Sequence, residues 1–244
     1  MKKDSLQRIF ICAFFVCLYV FPSYGAEQPA KYYSQVGQDE YMHKNIFPDK
    51  KNGVIVDIGA NDGKTLSNSL FFVEQLNWQC LCIEPLPRAF TELKKNRPNC
   101  ICVQGCIAEK EGTDQFLEIR GGCEMLSGLT SKYDPRHVSR IAYEINQNRA
   151  SYEVIQVMCY KLDSLLDAYG IDHVDILSVD TEGGEDTIIK SINLDRIDVI
   201  CVEDNYGDQE LVKYLLERNF IILTRLEHDI IFRNKRFCPN AEGM

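Results

Sequence analysis

The chain has 244 residues, is 45% hydrophobic, and sets 27 Lys and Arg against 36 Asp and Glu for a formal net charge of −9. That is material for one sizeable core, in a domain of about 200 residues with a short amino-terminal appendage. No basic stripe stands out, which excludes nucleic acid as the expected partner; an acidic surface suits neutral or cationic small molecules.

The appendage comes first. Lys2, Lys3 and Arg8 precede an apolar run from Ile9 to Phe21, followed by Pro22-Ser23-Tyr24-Gly25-Ala26 with small residues placed for a cut after Gly25. This is the three-part form of a secretory signal peptide, and the run is shorter than the about 20 residues of a membrane-spanning helix. The expectation is a signal or anchor over residues 1–25 and a domain over 26–244, exported or periplasmic. Membrane attachment through residues 9–21, including on the cytoplasmic face, is the alternative. Of the 11 cysteines, Cys12 and Cys17 lie in this run, and most of the others sit in strand-like segments, among them Cys80, Cys82, Cys100, Cys102, Cys159 and Cys201. They read as small core residues with free thiols; partners two apart share a face and do not bridge readily. No C-x-x-C occurs, so a zinc or thioredoxin reading fails; no metal ligand is assigned, a metal-assisted variant on Asp180, Glu182 and Glu203 being the alternative.

Tyr32 to Tyr41 reads as an entry turn leading into a short helix that runs to Phe47, stopped by the polar turn Pro48 to Gly53. Val54-Ile55-Val56-Asp57-Ile58 is a β-branched, apolar strand of the buried parallel kind, followed by Gly59-Ala60-Asn61-Asp62-Gly63 and a helix starting at Lys64 to Phe72. Gln79 to Glu84 is a second strand, Arg88 to Asn96 a helix ending before Pro98, and Cys100 to Cys106 a third strand. Asp114 to Ile119 and Tyr152 to Met158 are strands flanking an irregular excursion over Gly121 to Ser151, with a short helix at Val138 to Asn146; such excursions serve as lids or binding loops. Regular alternation returns with a helix at Leu162 to Leu166, a strand at Val174 to Asp180, a helix at Glu185 to Ser191, a strand at Val199 to Glu203 and a helix at Gln209 to Arg218. Phe220 to Thr224 and Asp229 to Arg233 close the chain as a strand pair.

Four strands carry an acid at or near their ends: Asp57, Glu84, Asp180 and Glu203. In an open parallel sheet these ends share one edge, where ligands bind. Glu84, about twenty residues past the glycine loop, offers two acceptor oxygens to a ribose diol. Dinucleotide loops need a pyrophosphate at a helix start, and the acids Asp57 and Asp62 repel one. They suit the sulfonium and ammonium of S-adenosylmethionine, so that donor is favoured over NAD.

Three blocks carry a family resemblance. They are Ser34-Gln35-x-Gly37-Gln38-Asp39, Val56-Asp57-Ile58-Gly59-Ala60-Asn61-Asp62-Gly63 and Leu177-Ser178-Val179-Asp180-Thr181-Glu182-Gly183-Gly184-Glu185, the last being the most specific. The chain resembles the FkbM family of S-adenosylmethionine-dependent methyltransferases over about Tyr32 to Phe237. The resemblance implies the class I methyltransferase sheet, α/β with seven mostly parallel strands, the last antiparallel, and helices on both faces. It implies O-methylation of a sugar, glycan or related small molecule. The cofactor residues expected on this basis are Gln35, Asp57, Gly59, Ala60, Asn61, Asp62, Gly63, Glu84, Gly105, Cys106 and Asp180. A hydroxyl acceptor needs a base, for which Asp180, Glu182 and His137 are the candidates. Glu185 reads as charge at a helix start. A second class of function is an exported binding protein that keeps the fold without catalysis.

Overall fold

The computed structural model describes residues 30–48 and 50–237. The signal-like segment, Cys12, Cys17 and Cys238 lie outside them. In chain order the strands are β1 (Val54–Ile58), β2 (Gln79–Glu84), β3 (Ile101–Gln104), β4 (Cys106–Ile107), β5 (Gly112–Arg120), β6 (Gly128–Leu129), β7 (Ser151–Tyr160), β8 (Val174–Val179), β9 (Ile197–Glu203), β10 (Phe220–Leu226) and β11 (Asp229–Asn234). The helices are α1 (Gln38–Asn45), α2 (Leu70–Leu76), α3 (Pro87–Asn96), α4 (Pro135–Asn148), α5 (Leu162–Ala168), α6 (Glu185–Lys190) and α7 (Gln209–Glu217). None of the described helices is long and apolar enough to cross a membrane.

Seven strands form the central sheet in the order β10-β11-β9-β8-β1-β2-β3. β3, β2, β1, β8 and β9 are parallel, and β11 runs antiparallel to both neighbours. This is the class I methyltransferase arrangement, as expected. Successive side chains of a strand point to opposite faces, so each strand feeds two cores. Val56, Leu81, Leu177 and Ile200 pack with Leu166, Ile189 and Leu215 of α5, α6 and α7. Ile55, Cys80, Ile176 and Val199 pack on the other face with Met42 of α1, Phe71 and Phe72 of α2, Leu93 of α3 and Trp78. The direction of strand order reverses between β1 and β8, so their carboxyl ends flank the crevice in which such sheets bind ligands.

Three expectations are corrected. The glycine loop does not lead straight into a helix: residues 61–69 form turns and bends, and α2 begins at Leu70. Asp62 accepts from the amides of Lys64 (2.8 Å) and Thr65 (2.7 Å) and from the Thr65 hydroxyl, which favours a turn over a helical start. The third strand breaks at Gly105: β3 belongs to the central sheet, and β4 joins a second sheet of order β4-β7-β5-β6. The excursion is ordered rather than irregular. β5 and β7 pair antiparallel along their whole length, Gly112 to Cys159 through Arg120 to Ser151, and α4 is 14 residues long with the Asp134 carboxylate capping the Arg136 amide at 2.7 Å.

Candidate active site

A cavity of about 370 Å³ opens where the ends of β1, β2 and β8 face β5 and β6, within the roughly 300–1,000 Å³ range of small-molecule sites. A narrower recess adjoins it, sharing Gly59, Asn61, Met125 and Asp180. Of the expected cofactor residues, Gly59, Asn61, Asp62, Glu84, Gly105, Cys106 and Asp180 line the cavity; Gln35, Asp57 and Ala60 line the recess.

Glu84 joins three turns. It is 5% exposed, and its two carboxylate oxygens accept the amides of Asn61 (2.9 Å) and Leu86 (2.8 Å). Its carbonyl accepts the Gly105 amide at 3.1 Å. Burial raises its carboxyl to a pKa of about 7, against the opposing pull of the two amides. A carboxylate oxygen accepts more than one hydrogen bond, so both oxygens retain capacity toward the cavity they line.

Gly59 (φ +88°) lies where a Cβ would overlap the carbonyl oxygen of Asp180. The loops after β1 and β8 pack backbone to backbone here, with the Asp180 amide donating to the Ile58 carbonyl at 3.0 Å. Gly63, expected at the cofactor, lines neither space. A Cβ on it would meet Leu93 Cδ1 at 2.5 Å and Arg97 Cγ at 2.8 Å, and its carbonyl accepts from Arg97 Nε. It is glycine because α3 packs against it.

Asp57 is held from beneath. Its carboxylate accepts from Ser69 Oγ at 2.5 Å, and the buried Arg97 donates to Ser67 Oγ (2.7 Å) and Ser69 Oγ (2.9 Å). Burial pushes the Asp57 carboxyl above its ordinary range. In the same recess Asn68 donates to Ser178 Oγ at 3.1 Å, while its own buried Oδ1 has no partner. An orphaned acceptor beside Asp57 and Asp180 fits an ammonium donor. The acids of the adjoining cavity fit a sulfonium, and Glu84 fits a ribose. The donor set therefore fits S-adenosyl-L-methionine. Sequence reasoning missed Asn68 and Arg97: each lies in a stretch without motif character, and only the fold brings them to the loop.

The segment after β8 carries the remaining acids. Burial, then the facing carboxylate of Glu203, push Asp180 well above the usual carboxylate range. Glu182 also lines the cavity, and its backbone is left-handed at φ +56°, a conformation that costs a non-glycine residue about 1 kcal/mol or more. Burial and the Asp180 charge raise Glu182 to about 7, with Arg140 opposing. Its buried Oε2 makes no hydrogen bond; His137 Nδ1 and Arg140 Nη1 each stand 3.6 Å away. Glu203 is raised to about 8, first by burial and then by Glu182, but lines neither space. Glu185 begins α6, as its helix-start reading requires, and also folds the loop. Its Oε1 accepts from the amides of Thr181 (3.1 Å) and Gly183 (2.9 Å) and from Thr181 Oγ1 (2.8 Å).

His137 is corrected. It is on α4 rather than in an irregular loop, and it lines neither space. It is 1% exposed, stacked on Tyr133 at 4.9 Å between ring centroids, with Nδ1 at 3.2 Å from Tyr206 Oη and Nε2 at 3.4 Å from the Leu126 carbonyl. Burial lowers its pKa, and it stands behind Glu182, with Nδ1 3.6 Å from Oε2.

Comparison with known proteins agrees with this geometry. A family model described as the methyltransferase FkbM domain matches residues 57–222. The fold is similar to the crystal structure of methyltransferase FkbM from Methylobacillus flagellatus, with 12% identity, a TM-score of 0.51, and coverage of 82% of this chain and 48% of that one. The chain thus spans about half of that protein. Fibrillarin from Aeropyrum pernix, solved with natively bound S-adenosyl-L-methionine, is a more distant match at 10% identity and a TM-score of 0.41, covering 82% of this chain and 73% of that one. No curated protein sequence matches the chain.

Proposed function

The chain belongs to the FkbM methyltransferase family, and from that premise we propose that it methylates a hydroxyl of a sugar, glycan or related small molecule. Its cofactor is S-adenosyl-L-methionine, which when bound supplies an electrophilic methyl group on a sulfonium. The observation that carries the proposal is the placement of Glu84, Asp180 and Glu182 around one cavity, on either side of Gly59. Glu84 takes the ribose hydroxyls, and Asp57, Asn68 and Asp180 surround the recess for the cationic end. Glu182 takes the acceptor proton: its side chain lines the cavity, and a pKa of about 7 matches a base working near neutral pH. The Glu182 carboxylate would accept the proton of the acceptor hydroxyl, so that the oxygen is freed as a nucleophile toward the methyl group that the bound donor would supply. The Arg140 guanidinium, 3.6 Å from Glu182 Oε2, positions that carboxylate.

The far wall supports a polyhydroxylated acceptor. Glu118 and Arg120 pair there, with Arg120 donating to the two carboxylate oxygens at 3.1 and 2.8 Å, and Ser127 lies beside them. Charged and hydroxyl groups of this kind hydrogen-bond hydroxyls. Export or membrane attachment through residues 1–25 belongs to the same proposal, and fractionation of the source cell tests it. The reaction is tested by presenting a panel of sugars and envelope glycans with methyl-tritiated donor. Label on an acceptor oxygen is expected; label only on nitrogen or carbon would refute O-methylation.

A further inference from the structure

β2 and β3 bring four cysteines to one face of the sheet. Cys82 is paired in register with Cys102, Cys80 lies two residues before Cys82 on the same face, and Cys100 immediately precedes β3. Cys80 Sγ is 3.3 Å from Cys82 Sγ, and the sulfurs of Cys80, Cys82 and Cys100 all lie within 4.8 Å of one another. Tetrahedral zinc with Zn–S bonds near 2.3 Å separates its sulfurs by about 3.8 Å, so closing this set on a metal requires shifts of about an ångström or less.

From this geometry we infer that Cys80, Cys82 and Cys100, with Cys102 as fourth ligand, form a thiolate site for a thiophilic metal ion of the zinc type. The spacing is C-x-C twice, joined across two parallel strands rather than along one loop, which is why a search for C-x-x-C passes over it. The surroundings fit an anionic metal–thiolate group. Arg97, 2% exposed, reaches within 4.0 Å of Cys100 Sγ through Nη1 and offsets the excess negative charge. Cys80 and Cys82 are buried and Cys100 and Cys102 half-buried, so an ion has a route in from the Cys100 side. Binding releases the thiol protons to solvent and needs no oxidant. The other close set of ligating groups among the described residues, His173, Asp175 and Asp198, already holds the Lys50 ammonium against Asp175.

The experiment uses the full chain, freed of metal with a chelator under reductant and titrated with Co²⁺ and then Zn²⁺. The expected result is one ion per chain, a thiolate-to-cobalt charge-transfer band, and loss of that band on adding Zn²⁺. Cys80→Ser combined with Cys100→Ser removes the band, Cys102→Ser lowers affinity at least tenfold, and Cys123→Ser leaves both unchanged. Absence of stoichiometric binding by the unsubstituted protein overturns the proposal even where a variant fails to fold. So does a band that persists in the double variant, or a Cys80–Cys100 disulfide in protein isolated from its source.

Discussion

At the residue scale the site rests on carboxylates whose environments differ. Glu84 combines two tasks, holding three turns by its own hydrogen bonds and facing the cavity. Glu84→Gln keeps one acceptor oxygen and should bind the donor about tenfold or more weakly, the scale of losing one charge-assisted hydrogen bond. Calorimetric titration with S-adenosyl-L-methionine measures this; unchanged affinity would remove the ribose assignment. The place of Glu84 at the cavity is legible in the sequence because strand patterning puts an acid at the tip of β2. The place of Asn68 in the recess is not: its partner Ser178 is 110 residues away, and no local pattern marks an orphaned oxygen. His137 shows the opposite failure. A histidine in polar surroundings reads as a candidate base, yet packing on Tyr133 and under the Leu126 carbonyl withdraws it from the cavity.

At the scale of elements, local patterning identifies the five parallel strands of the central sheet as continuous apolar runs, and β10 and β11 as the antiparallel pair that closes the chain. The second sheet is harder to read. β5 and β7 are legible as the strands Asp114 to Ile119 and Tyr152 to Met158, but β4 and β6 are two residues each, too short to carry a periodicity. The glycine loop illustrates a third difficulty. Both of its glycines read as ligand contacts; Gly59 lines the cavity and also accommodates the backbone of Asp180, whereas Gly63 lines neither space and accommodates Leu93 and Arg97. Gly63→Ala should therefore lower stability by about 1–3 kcal/mol, from overpacking together with a positive φ. Donor affinity of the folded variant should stay within a few-fold. Urea unfolding and titration separate the two effects; a large affinity loss with unchanged stability would return Gly63 to the cofactor site.

At the scale of the whole molecule, acids converge on one edge of a chain of net charge −9. Glu84 and Glu182 are raised from 4.5 to about 7 and Glu203 to about 8. Each holds its proton more tightly folded than unfolded, so stability falls as pH rises from about 4.5 through about 8. The ligand-free protein should melt at a higher temperature at pH 6 than at pH 8, and saturating S-adenosyl-L-methionine, a cation at this edge, should narrow that difference. A melting temperature that climbs over this interval without ligand would contradict the cluster.

The assignment of Glu182 as base is tested most directly by the pH dependence of methyl transfer in a single turnover with the donor saturating. The unsubstituted enzyme should show a rate that rises with pH and levels off above about 7, as the Glu182 carboxyl loses its proton. Glu182→Gln should be slower by about 10²–10⁴-fold and flat across the same range, with donor affinity within a few-fold. A variant that keeps both the rate and the rise would show that the acceptor proton leaves by another group.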